Sequence, residues 1–407
     1  MTQETAPTND PIDPRPRTAE PDSASLRWAS GSVSRRRFIA GSAAAAAGAA
    51  ALLAGCGGDK LDDAGSGTAA AAGATPTPPS LPSLDPANFE RAAQYSFENS
   101  GVGVLVMRGH DIAFERYATE EQTHRLASGT KSFCGAIAAA AVQDGILSGF
   151  DEIVSDTITE WQHDARDPGK AGVTIRQMLS LTAGLEPATS LLQGPRSREN
   201  RYLAALDAEL MMPPNTAFIY GSSSFFIFGE LMRRKLESRN EGPLDYLMRR
   251  VLDPIGLRVG TWAKDDAGNP HMPNGAILAA REWAKFGLLI KQGGTWEGRQ
   301  ILDPALLAEC FRGSAVNPGY GLTFWLGLPV TPKIVTSCSA PARDTAFPED
   351  LVLAAGHGKQ RLYIIPSLDL VVVQQAESST FRDREFLSLL LGLNETATNA
   401  RPAGGSE

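Results

Sequence analysis

The chain has 407 residues, 43% of them apolar and 21% charged, which is enough apolar matter for a large buried core and excludes a wholly disordered chain. Its formal net charge of -8 at neutral pH, with no extended Lys/Arg run beyond the N-terminal region, argues against a nucleic-acid partner.

The first readable feature is not part of a fold. Ser34-Arg35-Arg36-Arg37-Phe38-Ile39 opens onto an Ala-rich apolar run that ends at Gly55. The run is about 18 residues, in principle long enough to span a membrane, but its Ala and Gly content predicts a cleaved export signal of the twin-arginine type instead. It closes in Leu53-Ala54-Gly55-Cys56, which resembles a lipobox. Residues 1–55 are therefore expected to be a signal peptide. Cys56 becomes the acylated N-terminus and ties the protein to a membrane of the cell envelope, facing the periplasm or the exterior. One acyl chain binds a bilayer only marginally, whereas several make the anchoring durable. Six arginines against five acids give the signal a net +1, so the mature chain carries -9.

Residues 56–85 are mostly Ala, Gly, Thr, Ser and Pro and read as a disordered tether with a root-mean-square span of roughly 30 Å. Residues 395–407 read as a loose polar tail. The body between them, 86–394, is large enough that two lobes are expected. It opens with two strand-like runs, 102–108 and 112–117, joined by the turn signal Gly109-His110-Asp111. A middle with helical periodicity, 131–292, follows, its best segments being 132–144, 202–211 and 225–236. Short runs rich in Val, Ile, Leu, Tyr and Trp at 321–328, 351–355, 361–366 and 370–374 predict strands, and 382–393 a terminal helix. The expected class is α+β: one antiparallel sheet built from both chain ends and flanked by helices, with an inserted, mainly helical lobe and a site in the cleft between the lobes.

The cysteines left after Cys56 are Cys134, Cys310 and Cys338, with no C-x-x-C spacing. Structural zinc is not expected. Cys134 reads as a small core residue, and Cys310 and Cys338 are able to pair in an oxidising compartment. The five histidines form no His-Glu-x-x-His or spaced pair, so no metal or other cofactor is expected. A phosphate loop and a Gly-x-Ser-x-Gly elbow are likewise missing.

Chemistry enters at Leu126-Ala127-Ser128-Gly129-Thr130-Lys131, read as the start of a helix. Residues three apart on a helix share a face, so Lys131 reaches Ser128. A serine hydroxyl is a weak nucleophile until a base takes its proton. A lysine serves only if burial lowers its pKa from about 10.4 toward 7, a shift of roughly 4 kcal/mol. A helix N-terminus also favours an oxyanion held by the Ser128 amide.

Ser-x-x-Lys alone is commonplace. Together with Pro213-Pro-Asn-Thr-Ala-Phe-Ile-Tyr220-Gly221-Ser222 and Ala355-Gly356-His357-Gly358-Lys359-Gln360, in that order, the chain resembles the serine β-lactamase and penicillin-binding-protein family, nearest its class C-like esterase and amide-hydrolase branch. The stretches 173–185, 251–257 and 280–287 also match in order. The resemblance implies the β-lactamase/transpeptidase-like fold and a serine hydrolase acting through an acyl-enzyme on small ester, amide or peptide substrates. It implies Ser128 as nucleophile, Lys131 as activating partner and Tyr220 as acid/base. Ser222, His357, Gly358 and Gln360 become substrate-binding or supporting residues, with an amide near Gln360 completing an oxyanion hole. His357 stands where lactam-hydrolysing relatives carry the lysine of Lys-Thr-Gly, and Lys359 where a glycine is usual. Weaker binding of substrate carboxylates, and hence a preference for esters over β-lactams, is the expectation. Ser222 and Lys359 depart from the commonest patterns, which leaves a second reading open: a catalytically silent envelope lipoprotein that binds cell-wall peptides.

Overall fold

The computed structural model describes residues 82–187, 198–328, 334–335, 346–377 and 380–393. The expected signal peptide, Cys56, all but the last four residues of the tether, Cys338 and the polar tail lie outside them. The proposed pairing of Cys310 therefore has its partner outside the described residues; Cys310 itself is a buried free thiol.

Helix α1 (Pro86–Glu98) starts where Asp85 accepts a hydrogen bond from the Ala87 amide and Pro86 supplies a preset φ. The sequence reading passed over this helix, although Asp-Pro ahead of Phe89, Ala92 and Ala93 is its signature. Strands β1 (Gly101–Arg108) and β2 (Asp111–Tyr117) then form the expected hairpin, with Gly109 at φ 60° in its turn. Near the other end come β3 (Trp325–Leu326), β4 (Val352–Gly356), β5 (Gln360–Ile365) and β6 (Leu370–Ala376). They join the hairpin in one antiparallel sheet of order β2-β1-β6-β5-β4-β3. Both chain ends therefore meet in the middle of the sheet, where β1 pairs with β6.

Successive side chains of a strand face opposite sides, and β6 displays this directly. Gln374 donates to Ser96 of α1 on one face, and Gln375 to the Leu278 carbonyl on the other. Tyr363 stacks on Phe386 of the last helix, Asp383–Leu390, on the α1 side. The helix Ala280–Lys291 covers the opposite side, its Gly287 lying against Val371 and Leu362.

Between β2 and β3 the chain inserts helices, of which α2 (Ser132–Gln143) is central. Every residue from Ser132 to Ala141 is buried, as a helix apolar all round must be. Its small side chains are required: a Cβ on Gly135 would lie 2.6 Å from the Thr323 hydroxyl. The helices Arg201–Leu206 and Ser223–Leu236 pack on one another beside it.

The sheet and the inserted, mainly helical lobe share one continuous core. Two expectations change. The predicted helix 202–211 stops at Leu206, because the Leu206 carbonyl accepts the Trp161 indole and the Leu210 amide, its partner in a longer helix, donates to Asp167 instead. The predicted strand 321–328 shrinks to Trp325–Leu326, since Thr323 has φ 75° and gives its amide to the Leu179 carbonyl. Among the described residues no helix is long and apolar enough to cross a membrane.

Candidate active site

Residues Ala127–Lys131 form a 3-10 turn, and the α-helix begins only at Ser132. This corrects the expected helix start and sharpens its consequence. With three residues per turn, positions i and i+3 eclipse, which brings Lys131 Nζ to 3.0 Å from Ser128 Oγ. The turn is strapped to strand Ala276–Ala279: the Leu126 amide donates to the Ala276 carbonyl at 2.9 Å, and the Ala276 amide to the Thr130 hydroxyl at 3.2 Å. Ala127 is held at φ 47°, a left-handed conformation that costs an L-residue roughly 1–2 kcal/mol. Such strain collects where the surrounding structure fixes a functional geometry, and here it directly precedes Ser128.

Lys131 is 2% exposed. Its ammonium lies 3.3 Å from the Pro273 carbonyl and 5.2 Å from the ring centres of Tyr220 and Phe225, and among the described residues no carboxylate pairs with it. Burial pushes its pKa down to about 7, with Cys134 pulling weakly the other way. The amine is thus substantially neutral near neutral pH, the state in which it can accept a proton.

Tyr220 follows the two-residue strand Phe218–Ile219 and precedes the helix Ser223–Leu236. Its ring stacks on Trp325 at 5.6 Å and meets Tyr320 edge-on at 6.3 Å. Burial raises its pKa, while a hydrogen bond with Ser128 and the charge of Arg361 draw it back. Ser128, Lys131 and Tyr220, assembled from two separate segments, therefore meet at one point. Ser222 is half-buried at the N-cap of the helix after Tyr220 and makes no side-chain capping bond.

The third segment is a turn. His357, Gly358 and Lys359 form a 3-10 turn between β4 and β5 and do not continue either strand. Gly358 and Lys359 have φ 70° and 64°, so the same-face relation of a strand does not hold for His357 and Lys359. His357 is exposed, whereas Lys359 turns back to Asp383 at 3.4 Å. This turn packs beside the Ser128 turn. Gly356 explains how closely: a Cβ there would sit 2.0 Å from the Leu126 carbonyl. Gln360 is buried, its carboxamide nitrogen donating to the Ala376 and Gly358 carbonyls while its oxygen has no partner among the described residues.

Several residues around the site went unnoticed in the sequence. Pro273 offers a backbone carbonyl, which leaves no trace in residue type. Tyr320 and Trp325 wall Tyr220 from a distant segment. Arg361 was read only as a strand residue. Two cavities, of about 710 Å³ beside Trp161 and Leu203 and about 290 Å³ beside Arg176 and Asn215, lie away from Ser128. Among the described residues no group of His, Cys, Asp and Glu is arranged to hold a metal ion.

The family model described as Beta-lactamase matches residues 88–388. Among solved structures, the chain is similar to a penicillin-binding protein homolog from Caulobacter crescentus, with 14% identity and a TM-score of 0.58, covering 76% of this chain and 98% of that one. A D-stereospecific amidohydrolase from Streptomyces is similar at 17% identity and TM-score 0.54, covering 75% and 98%. A β-lactamase from Mycobacterium bovis is similar at 17% identity and TM-score 0.51, covering 74% and 96%. At these identities the likeness is one of fold. No curated relative matches the chain.

Proposed function

The chain belongs to the β-lactamase family, and from that premise we propose that it is an exported serine hydrolase, lipid-anchored at Cys56, that cleaves small ester or amide substrates through an acyl-enzyme on Ser128. The observation that carries this reading is the buried Lys131 amine, with no carboxylate partner among the described residues, 3.0 Å from the Ser128 hydroxyl. Ser128 Oγ attacks the acyl carbon while Lys131 Nζ takes its proton. Tyr220 relays a proton to the departing oxygen or nitrogen, the acyl group stays on Ser128, and water releases it as the acid. Amides of Ser128 and of a residue near Gln360 are assigned to the oxyanion. The exposed His357 and buried Gln360 border the substrate, with Gly358 and Ser222 supporting.

Lys359 is engaged by Asp383, so the turn presents no free lysine to a substrate carboxylate. The reading therefore favours neutral esters over β-lactams. The amidohydrolase from Streptomyces supports amide chemistry as within the reach of this fold.

A fluorophosphonate probe on the purified protein tests the assignment. Labelling is expected at Ser128, and Ser128→Ala should lose labelling and hydrolysis by several orders of magnitude with a near-unchanged melting temperature. In the same preparation, kcat/KM for a short-chain p-nitrophenyl ester should exceed that for nitrocefin. Labelling that persists at another residue refutes the nucleophile, and no labelling of the parent favours the silent peptide-binding alternative.

A further inference from the structure

The 357–359 turn has two residues in left-handed conformation and an exposed histidine, so little within it fixes its place beside Ser128. Its neck is fixed by Arg361, which is 6% exposed. Nη1 donates to the carbonyls of Gly356 and Gln360, the residues flanking the turn, at 2.8 and 2.9 Å. Nε and Nη2 form a fork on Asp383 at 2.5 and 3.1 Å. Asp383 also accepts from the Tyr363 hydroxyl at 2.7 Å and from Lys359, so its two oxygens take four donors. Burial alone would raise the Asp383 pKa, but the Arg361 guanidinium holds it below the usual carboxylate range.

Arg361 and Asp383 are a buried pair, and the part-exposed Lys359 adds a second cation at its edge. A buried ion pair is weak evidence for stability, because well-packed apolar side chains often serve as well. The cluster is better explained by what lies beside it. The titratable groups around Tyr220 are Lys131 from the 3-10 turn Ala127–Lys131, Tyr320 from the segment before β3, and Arg361 from β5. Lys131 loses its charge near neutral pH. Arginine does not, so Arg361 is the permanent cation of this set.

We propose that Arg361, clamped by Asp383, is a positioning residue of the acyl-transfer site, fixing the 357–359 turn beside Ser128 and placing a permanent positive charge within range of Tyr220. The inference rests on the reading of Ser128 as nucleophile.

The test is the rate of fluorophosphonate labelling as a function of pH for the parent chain, Arg361→Met and Arg361→Lys, with folding checked by circular dichroism. In Arg361→Met the limb that reports Tyr220 should move up by about one pH unit, because a stabilising charge is gone, while the limb near 7 from Lys131 stays. The rate at pH 8 should fall at least tenfold, and Arg361→Lys should restore the limb. An unmoved limb in folded Arg361→Met overturns the inference even if the rate falls, since loss of rate alone is what a merely structural arginine gives. If Arg361→Met does not fold, Asp383→Asn is read instead: freeing the cations should move the same limb down, and an unmoved limb again overturns the inference. A parent chain that is not labelled at all refutes the Ser128 reading itself, which separates the two failures.

Discussion

Burial gives Lys131 two different protonation equilibria, with a pKa of about 7 in the folded chain and that of an ordinary lysine, 10.5, once unfolded. Below pH 7 both states bind the proton and the folded one bears the full desolvation penalty. Between 7 and 10.5 only the unfolded state holds the proton, so the stability contributed at this residue rises with pH across that window and levels off above it. Lys131→Met removes the penalty. It should abolish labelling at Ser128 while raising stability at pH 6–7 by roughly 3–5 kcal/mol, less whatever the lost hydrogen bonds contributed. Thermal melts of variant and parent should converge as the pH approaches 10. A variant no more stable than the parent at pH 6, or a gap independent of pH, would refute the assignment of a proton-poor lysine.

At the scale of elements, the site depends on two turns that touch through backbone. The Ser128 turn and the 357–359 turn approach at Gly356, whose φ of -120° is open to any residue, so it is the space and not the conformation that demands glycine. Gly356→Ala places a methyl carbon where the Leu126 carbonyl stands, and one of the turns must give way. We expect a loss of about 1–3 kcal/mol in urea unfolding together with a fall in labelling rate exceeding tenfold at a pH where the variant is fully folded. Parental labelling would mean that the turns move independently. Most elements were legible from periodicity: the β1–β2 hairpin, α2 and the strands β4 to β6 stand within a few residues of their expected places. The failures share a cause. The helix 202–211 and the strand 321–328 were cut short by the Trp161 indole, the Asp167 carboxylate and the Leu179 carbonyl, all partners remote in sequence.

At the scale of the whole molecule, the proposed anchor is a matter of the N-terminal 56 residues, and its test is independent of the fold. Cys56→Ala should shift the protein from the membrane pellet to a soluble or uncleaved form. Identical fractionation of variant and parent would exclude acylation at that residue. The family was readable because three short segments, around Ser128, Tyr220 and His357, occur in one order within a body of suitable size, and order and spacing are properties of the chain itself. That Ser128 and Lys131 adjoin was also readable, since three residues of local turn geometry suffice. Tertiary structure alone decided the rest. It set how far Lys131 is stripped of water, because that depends on Phe225, Tyr220 and the Pro273 carbonyl converging from elsewhere. It also decided that Lys359 faces Asp383 and that Arg361 stands behind the site, because two left-handed residues in a turn reverse the directions that a strand would give, and no periodicity in the sequence encodes that reversal.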